Sequence, residues 1–123
     1  MTPRPSLRTM PDIGTSTGFA VSVTEADVTA FADLSGDYAK MHVDDGFMVQ
    51  TTFGRRIAHG ALLVAYMSRA STMISNAAET VNPHGFPVSL GFDRMRFLAP
   101  VFLGDKLLVE YRISEIDRER GRT

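Results

Sequence analysis

The sequence predicts an α+β fold in which one long helix packs against a curved antiparallel sheet. From about Ala58 to Ala77, apolar residues recur at helical spacing on more than one face, so this helix needs a sheet that wraps around it. Phe19–Val23 and Leu107–Ile113, on either side of the helix, alternate apolar and polar residues as half-buried strands do. The 123 residues are enough for one domain with one core.

Composition excludes several classes of function. A net charge of −1 gives no electrostatic support for binding nucleic acid or an anionic membrane. The absence of cysteine excludes disulfides, thiolate nucleophiles and zinc sites with cysteine ligands, and it is compatible with the cytoplasm. The longest apolar segment, Ile57–Met67, is too short for a transmembrane helix and contains His59. We therefore expect a cytoplasmic protein that binds neither nucleic acid nor membrane.

The N-terminal residues 1–14 are predicted to form a flexible arm, and residues 15–123 a single domain. Met1–Asp12 contains three prolines and two arginines and has no apolar core, which does not fit a signal peptide. No repeat and no linker divides the remaining chain.

A helix is predicted directly after the first strand. Thr24 and Asp27 have the spacing of a capping box, in which a hydroxyl and an acid stabilise the first turn. Apolar residues then fall at helical spacing up to Ser35, and Gly36 can end the helix in a left-handed conformation. Asp37 is therefore expected in a loop just beyond a helix end.

Asp44 is a candidate N-cap for the short segment that follows it.

The long helix carries two stripes of different character. The broad apolar stripe consists of Leu62, Leu63, Tyr66, Met67, Ala70 and Ile74. The narrow stripe of small side chains consists of Ala61, Ala65, Ser68 and Thr72. Because small side chains allow another backbone to approach closely, we expect this helix to be buried on most sides.

Beyond the long helix the pattern predicts further strands. Val88–Phe92 alternates as a strand, and a change of phase near Asp93–Arg94 suggests a bulge. Leu107–Ile113 is the second clear strand, and Arg118–Thr123 resembles a hairpin turn with no strand after it. With only about three strands, the sheet would leave the core incomplete. We therefore expect the chain to lack the C-terminal strands of a longer domain.

Asp37 and His42 are the candidate acid–base pair, five positions apart in one polar segment. A carboxylate and an imidazole can divide general acid and general base work near neutral pH. Two structural alternatives remain open: Asp37 after Gly36 could be only a turn former, and His42 could be a core histidine. His59, before Gly60, is more readily explained as a structural residue that hydrogen-bonds the loop than as a catalytic one.

These segments together resemble the MaoC-like (R)-specific enoyl-CoA hydratases, which have the hot-dog fold. The family's motif reads roughly Gly-Asp, Asn-Pro, an apolar residue, His and an acid, followed later by Phe-Gly and Ile-Ala-His-Gly. The chain has SGDYAKMHVD at Ser35–Asp44 and FGRRIAHG at Phe53–Gly60. The segment FLAPVFLGD at Phe97–Asp105 is similar to the family's strand–turn–strand segment. The resemblance covers most of the chain, from about Phe19 to Ile116.

The resemblance implies reversible addition of water across the double bond of a trans-2-enoyl thioester. Asp37 and His42 would hold the water, one taking its proton and the other supplying a proton to the α-carbon, with the order left open. Gly60 resembles the position whose backbone N–H polarises the thioester carbonyl. Ser68 resembles a serine that supports the active-site hydrogen bonds, although on a stripe of small residues it could equally be a packing residue.

The resemblance also implies a substrate carried by coenzyme A or acyl carrier protein, a role in fatty acid metabolism, a homodimer, and no cofactor. No metal is expected, because Asp37, His42 and Asp44 include a single histidine and no third neutral ligand is suitably spaced. The small-residue stripe and the thin sheet leave surface that a partner subunit would cover. Arg55 and Arg56 are expected to be surface charges, either of which could contact a coenzyme A phosphate.

The chain departs from the motif at two positions. Ala39 and Lys40 stand where the family has Asn and Pro, and the Asn amide contributes to the active-site polar network. A second hypothesis is therefore a non-catalytic hot-dog subunit that binds acyl thioesters or stabilises a catalytic partner. A thioesterase is a third option on this fold, but the Asp37–His42 loop and the His59–Gly60 helix start resemble hydratases better.

Overall fold

The computed structural model of the chain describes residues 12–77, 88–117, 119, 120 and 122. The elements in these ranges are β1 (Ser16–Ser22), α1 (Glu25–Ser35), α2 (Lys40–Val43), α3 (Asp45–Met48), α4 (Gly60–Ala77) and β2 (Lys106–Arg112). The chain divides into two compact units. The first unit comprises residues 20–66 and 94–108, and the second comprises the described parts of 1–19, 67–93 and 109–123.

The two strands form a two-stranded antiparallel sheet, which confirms both as predicted. Within the first unit, the Val23 N–H donates to the Asp105 carbonyl at 2.9 Å, after the end of β1 and before the start of β2. Within the second unit, the Ile113 N–H donates to the Thr15 carbonyl at 2.9 Å, at the opposite ends of the same strands. These bonds join the start of one strand to the end of the other, as antiparallel pairing requires.

The predicted strand at Val88–Phe92 is wrong. These residues have no strand pairing, and the side chains of Val88, Leu90 and Phe92 are all exposed. Alternation predicts a strand only where a neighbouring strand accepts its backbone hydrogen bonds. In the part of the chain that the structure describes, β1 and β2 pair with each other alone. The predicted bulge site nevertheless holds an unusual conformation, because Arg94 has a φ of 54°.

The core of the first unit lies between the helices and the sheet. Its buried members are Val23, Val28, Ala58 and Leu62. Partly buried Phe31, Tyr66, Val101, Leu103 and Leu107 pack against them. The Tyr66 hydroxyl also donates to Asp27 Oδ2 at 2.6 Å, linking α4 to α1. Burial and, next, this hydrogen bond raise the pKa of the Tyr66 phenol well above its usual range, so the hydroxyl remains a donor.

The long predicted helix is confirmed as α4, but its predicted burial on most sides is wrong. All four residues of the small-residue stripe are exposed: Ala61, Ala65, Ser68 and Thr72. Over residues 60–75, the buried positions of α4 are Leu62, Ala70 and Ile74. A sheet of two strands has too little area to cover more than one face of a long helix. None of the described helices is both long and apolar enough to cross a membrane.

Both ends of α1 are formed as the sequence predicts. At the start, Thr24 Oγ1 accepts from the Asp27 N–H at 3.0 Å. At the end, Gly36 has a φ of 78°, a left-handed conformation that a residue with a Cβ adopts only with strain, and its N–H donates to the Ala32 carbonyl. The helix therefore stops at a defined residue, and Asp37 enters the following loop at a fixed place.

Arg56 is buried, so its prediction as a surface charge is wrong. Its side chain is 9% exposed and donates from Nε to Asp45 Oδ1 and from Nη2 to Glu25 Oε1, both at 2.8 Å. Nη1 donates to the His42 carbonyl at 3.3 Å. Burial acts to lower the pKa of the guanidinium, but the hydrogen bonds to Glu25 and Asp45 outweigh it and raise that pKa. One side chain thus joins the start of α1 to α2 and α3.

Replacing Arg56 by Met should lower the free energy of unfolding by about 1–3 kcal/mol, because the fork of charge-assisted hydrogen bonds inside the first unit is lost. Glu25→Gln and Asp45→Asn should each cost less than about 1 kcal/mol, because these carboxylates are 73% and 79% exposed and regain water. Urea unfolding measures all three changes. Exposed Arg55, changed to Met, is the matched control and should be close to neutral. A Glu25→Gln cost equal to that of Arg56→Met would contradict this account.

Candidate active site

Asp37 is held in its loop by short-range hydrogen bonds. Its N–H donates to Ser35 Oγ at 3.1 Å, and its Oδ1 accepts from the Ala39 N–H at 3.2 Å. The carboxylate is half exposed. Oδ1 is therefore turned toward the backbone of the next helix, whereas Oδ2 is on the side of His42.

His42 is a buried residue of α2 with a defined tautomer. Its Nδ1 lies 2.8 Å from the Ile57 carbonyl, and a carbonyl can only accept, so Nδ1 carries the hydrogen. In the neutral ring Nε2 is then a free acceptor. Nε2 lies 3.8 Å from Asp37 Oδ2, so the structure brings the predicted pair together with the imidazole lone pair on the side of the carboxylate.

The gap between the two groups has a chemically useful width. A separation of 3.8 Å is too long for a direct hydrogen bond. It is short enough for one water molecule to bond to Asp37 Oδ2 and to His42 Nε2 at the same time. Such an arrangement can hold one water molecule in contact with both Asp37 and His42, so that protons can pass between the water and these two groups.

His59 contacts both Asp37 and His42 and forms a cluster with them. It is 2% exposed, its Nε2 donates to the Asp37 carbonyl at 3.0 Å, and its ring stacks on His42 with centroids 3.8 Å apart and planes at 28°. Phe31 packs against the ring of His59, with centroids 4.8 Å apart. This contact with the loop carbonyl agrees with the structural role that the sequence favours for His59.

The cluster of Asp37, His42 and His59 also has the composition of a metal site, with one candidate ligand atom from each within 4.8 Å of the others. The stacked rings argue against a shared ion. Ring-nitrogen lone pairs lie in the plane of each imidazole, so two nearly parallel rings cannot both direct one at an ion about 2.0–2.1 Å away. One nitrogen of each ring also donates to a carbonyl. The arrangement fits proton transfer better than metal binding, and the expected lack of a metal stays a prediction.

Gly60 is the first residue of α4, where a helix leaves N–H groups without intrahelical acceptors. A Cβ at this position would lie 2.8 Å from Cε2 and 2.9 Å from Cζ of Phe97. A side chain here would therefore have to displace the Phe97 ring, and glycine lets that ring pack against the start of α4. This reason is independent of the predicted contact between the Gly60 N–H and a substrate carbonyl, which stays a prediction.

Ser68 lies on the exposed side of α4, in the second unit of the chain, so its supporting role stays a prediction. Ala39 is the N-cap of α2 and makes no side-chain cap bond. Asp44 is the N-cap of α3, as predicted, and accepts from the Phe47 N–H at 2.9 Å. Arg55 stays at the surface, its guanidinium carbon 4.1 Å from the ring centroid of Phe102.

Sequence reasoning missed Arg56 and the stacking of His59 on His42. The one signal for Arg56 is its place directly before the apolar pair at residues 57 and 58. Its partners Glu25 and Asp45 are remote in sequence and follow no spacing rule. The stack likewise depends on how two loops meet, which neither histidine's neighbours indicate.

Comparison with known proteins gives matches over most of the chain. A family model described as the MaoC like domain matches residues 9–123. The 3-hydroxyacyl-thioester dehydratase Z of Mycobacterium tuberculosis is 32% identical over 87 residues, covering 71% of this chain and 55% of that protein. The (R)-specific enoyl-CoA hydratase of Aeromonas caviae is 32% identical over 95 residues, covering 77% of this chain and 65% of that protein. The chain thus spans just over half to two thirds of the length of these relatives.

Solved structures show the same fold. The unliganded (R)-hydratase from Pseudomonas aeruginosa matches with a TM-score of 0.64 and 34% identity, over 86% of this chain and 63% of that one. This likeness, together with the long helix on a small antiparallel sheet, confirms the predicted hot-dog fold.

The contact between Gly60 and Phe97 predicts a change of sign in a double-mutant cycle. In the natural chain, Gly60→Ala should destabilise by about 1 kcal/mol, because the new methyl group displaces the Phe97 ring. In a Phe97→Ala background the same change should be neutral or stabilising, because alanine favours a helix over glycine. Thermal or urea unfolding of the four chains gives the coupling energy. Equal costs in both backgrounds would show that the ring is not what excludes a side chain.

Proposed function

The chain belongs to the MaoC-like domain family, and we propose that it catalyses the reversible hydration of a trans-2-enoyl thioester to an (R)-3-hydroxyacyl thioester. Relatives at about 30% identity are named as hydratases and dehydratases, which supports this class of reaction. The observation that carries the proposal is the 3.8 Å separation of His42 Nε2 and Asp37 Oδ2, with the tautomer of His42 leaving Nε2 free to accept.

In the proposed reaction, a water molecule binds between Asp37 and His42. One of the two groups takes a proton as the hydroxyl oxygen bonds to the β-carbon, and the other supplies a proton to the α-carbon. The free lone pair on His42 Nε2 favours His42 as the acceptor and Asp37 as the donor in this direction. This assignment starts with the Asp37 carboxyl protonated and His42 neutral. After the addition, His42 holds the water's proton and Asp37 is a carboxylate, and transfer of that proton from His42 to Asp37 restores both groups.

Negative charge develops on the thioester oxygen during this addition. The N-terminus of α4 is a suitable place for it, because unpaired N–H groups and the helix dipole favour an anion there. The N–H of Gly60 is the proposed donor, with Ser68 a proposed supporting residue. The reaction requires neither metal nor redox cofactor from this site.

The proposal extends to substrate, assembly and location. The substrate is an acyl thioester of coenzyme A or acyl carrier protein, and the domain spans residues 15–123. The exposed stripe on α4 is where we propose that a second copy packs to form a homodimer, since small side chains allow close approach. A cytoplasmic location is the setting proposed for this chemistry.

Asp37→Asn and His42→Ala should each lower kcat/KM for crotonyl-CoA by about 10²-fold or more, as loss of an acid–base group does. The loss of absorbance of the enoyl thioester measures hydration, and the (R) product follows from a chiral assay. Asp93→Asn, an exposed carboxylate outside the cluster, is the matched control and should leave activity unchanged. Hydration that survives both site changes would place the chemistry elsewhere.

A second candidate function, a non-catalytic subunit that binds acyl thioesters or stabilises a partner, is favoured by Ala39. Its backbone N–H donates to Asp37 Oδ1, but it has no amide where the family motif has Asn. For an enzyme, Ala39→Asn should raise kcat/KM about fivefold, the effect of one added hydrogen bond of about 1 kcal/mol. Ala39→Ser is the control for size. A chain that is inert both as the natural protein and as Ala39→Asn would favour the binding subunit.

A further inference from the structure

His59 is the buried polar residue that the proposed chemistry does not use. It lies directly before α4 and is nearly inaccessible to solvent. Yet it contacts both members of the acid–base pair, through a hydrogen bond to the backbone of Asp37 and through ring stacking on His42. Ala39 also bonds to both, its N–H donating to Asp37 Oδ1 and its carbonyl accepting from the His42 N–H, but it does so through its backbone alone.

The hydrogen bonding of His59 fixes its tautomer. The Asp37 carbonyl can only accept, so the hydrogen is on Nε2 and Nδ1 carries a lone pair. This Nδ1 is buried and has no hydrogen-bond partner among the described residues. An unpaired buried acceptor is destabilising. An apolar ring of similar shape would avoid that loss, so packing alone does not explain an imidazole at this place.

The hydrogen bond of His59 holds Asp37 and its ring stacking supports His42, the two residues whose side chains are 3.8 Å apart. Asp37 follows a helix-ending glycine, and its other bonds are to near neighbours in sequence, Ser35 and Ala39. The His59 Nε2–H is what ties the Asp37 backbone to a distant segment. The His42 ring is held at its Nδ1 edge by the Ile57 carbonyl, and one of its faces stacks on the ring of His59.

We propose that His59 is a positioning residue that sets the separation of Asp37 and His42, its Nε2–H fixing the carboxylate's backbone and its ring supporting the imidazole. This inference rests on the proposed hydratase function, and it assigns His59 no contact with substrate. A displacement of about 1 Å at such a gap is enough to slow a reaction about 10²-fold.

Three substitutions separate the two contacts. His59→Phe keeps a flat ring against His42 but has no donor for the Asp37 carbonyl. His59→Gln keeps an amide donor near the place of Nε2 but has no ring. His59→Asn is the matched control for Gln, because its shorter amide reaches the position of Nδ1 and not that of Nε2.

The kinetic test uses the full chain and crotonyl-CoA. His59→Phe should lower kcat about 10²-fold with KM within about threefold. Its melting temperature should change little, because removal of the unpaired Nδ1 offsets the loss of the hydrogen bond to the Asp37 carbonyl. His59→Gln should recover part of the lost kcat, and His59→Asn should not. Full kcat in His59→Phe, or a kcat loss that only follows a fall in melting temperature, would overturn the proposal.

A structural test is independent of activity. In crystals of His59→Phe, the separation of Asp37 Oδ2 and His42 Nε2 should differ from that of the natural chain by about 1 Å, and His59→Gln should restore it. A separation within about 0.5 Å of the natural value in His59→Phe would overturn the proposal. An inert natural chain with the expected displacement would instead count against the hydratase function and leave the positioning role supported.

Discussion

The site depends on the hydrogen bonds that the Arg56 guanidinium donates. The guanidinium is buried, yet each of its three nitrogens donates to an acceptor: two carboxylates from different helices and the carbonyl of His42. A buried charge is tolerated only with partners of this kind. Because Glu25 and Asp45 are exposed, the cost of bringing them to Arg56 is small. The arginine therefore fixes the backbone that carries His42 without requiring a larger core.

Two backbone carbonyls determine which nitrogen of each histidine carries the hydrogen. The Ile57 carbonyl holds the hydrogen of His42 on Nδ1 and so presents the Nε2 lone pair to Asp37. The Asp37 carbonyl holds the hydrogen of His59 on Nε2. Loops usually vary in conformation, but this one is fixed by acceptors whose direction is set by the backbone. The side chains of His42 and His59 thereby each hold a defined orientation toward Asp37.

The elements that form through local interactions could be predicted. Thr24 and Gly36 fix the ends of α1 through bonds within a few residues, and apolar periodicity identified α4 and both strands. The pairing of Asp37 with His42 followed from their spacing in one short segment. The strand expected at Val88–Phe92 failed, because alternation describes side chains and not whether a neighbouring strand exists to accept hydrogen bonds.

The sequence by itself thus determined the two ends of α1, the presence of the long helix and the candidate acid–base pair, since each depends on residues close in the chain. Only the tertiary structure decided that Arg56 is buried, that His59 stacks on His42, and that the Phe97 ring packs against Gly60. These contacts join segments remote in sequence, and nothing in the local pattern of either partner indicates the other. Long-range packing selects among the arrangements that local preferences allow, and it is this packing that sets the width of the gap.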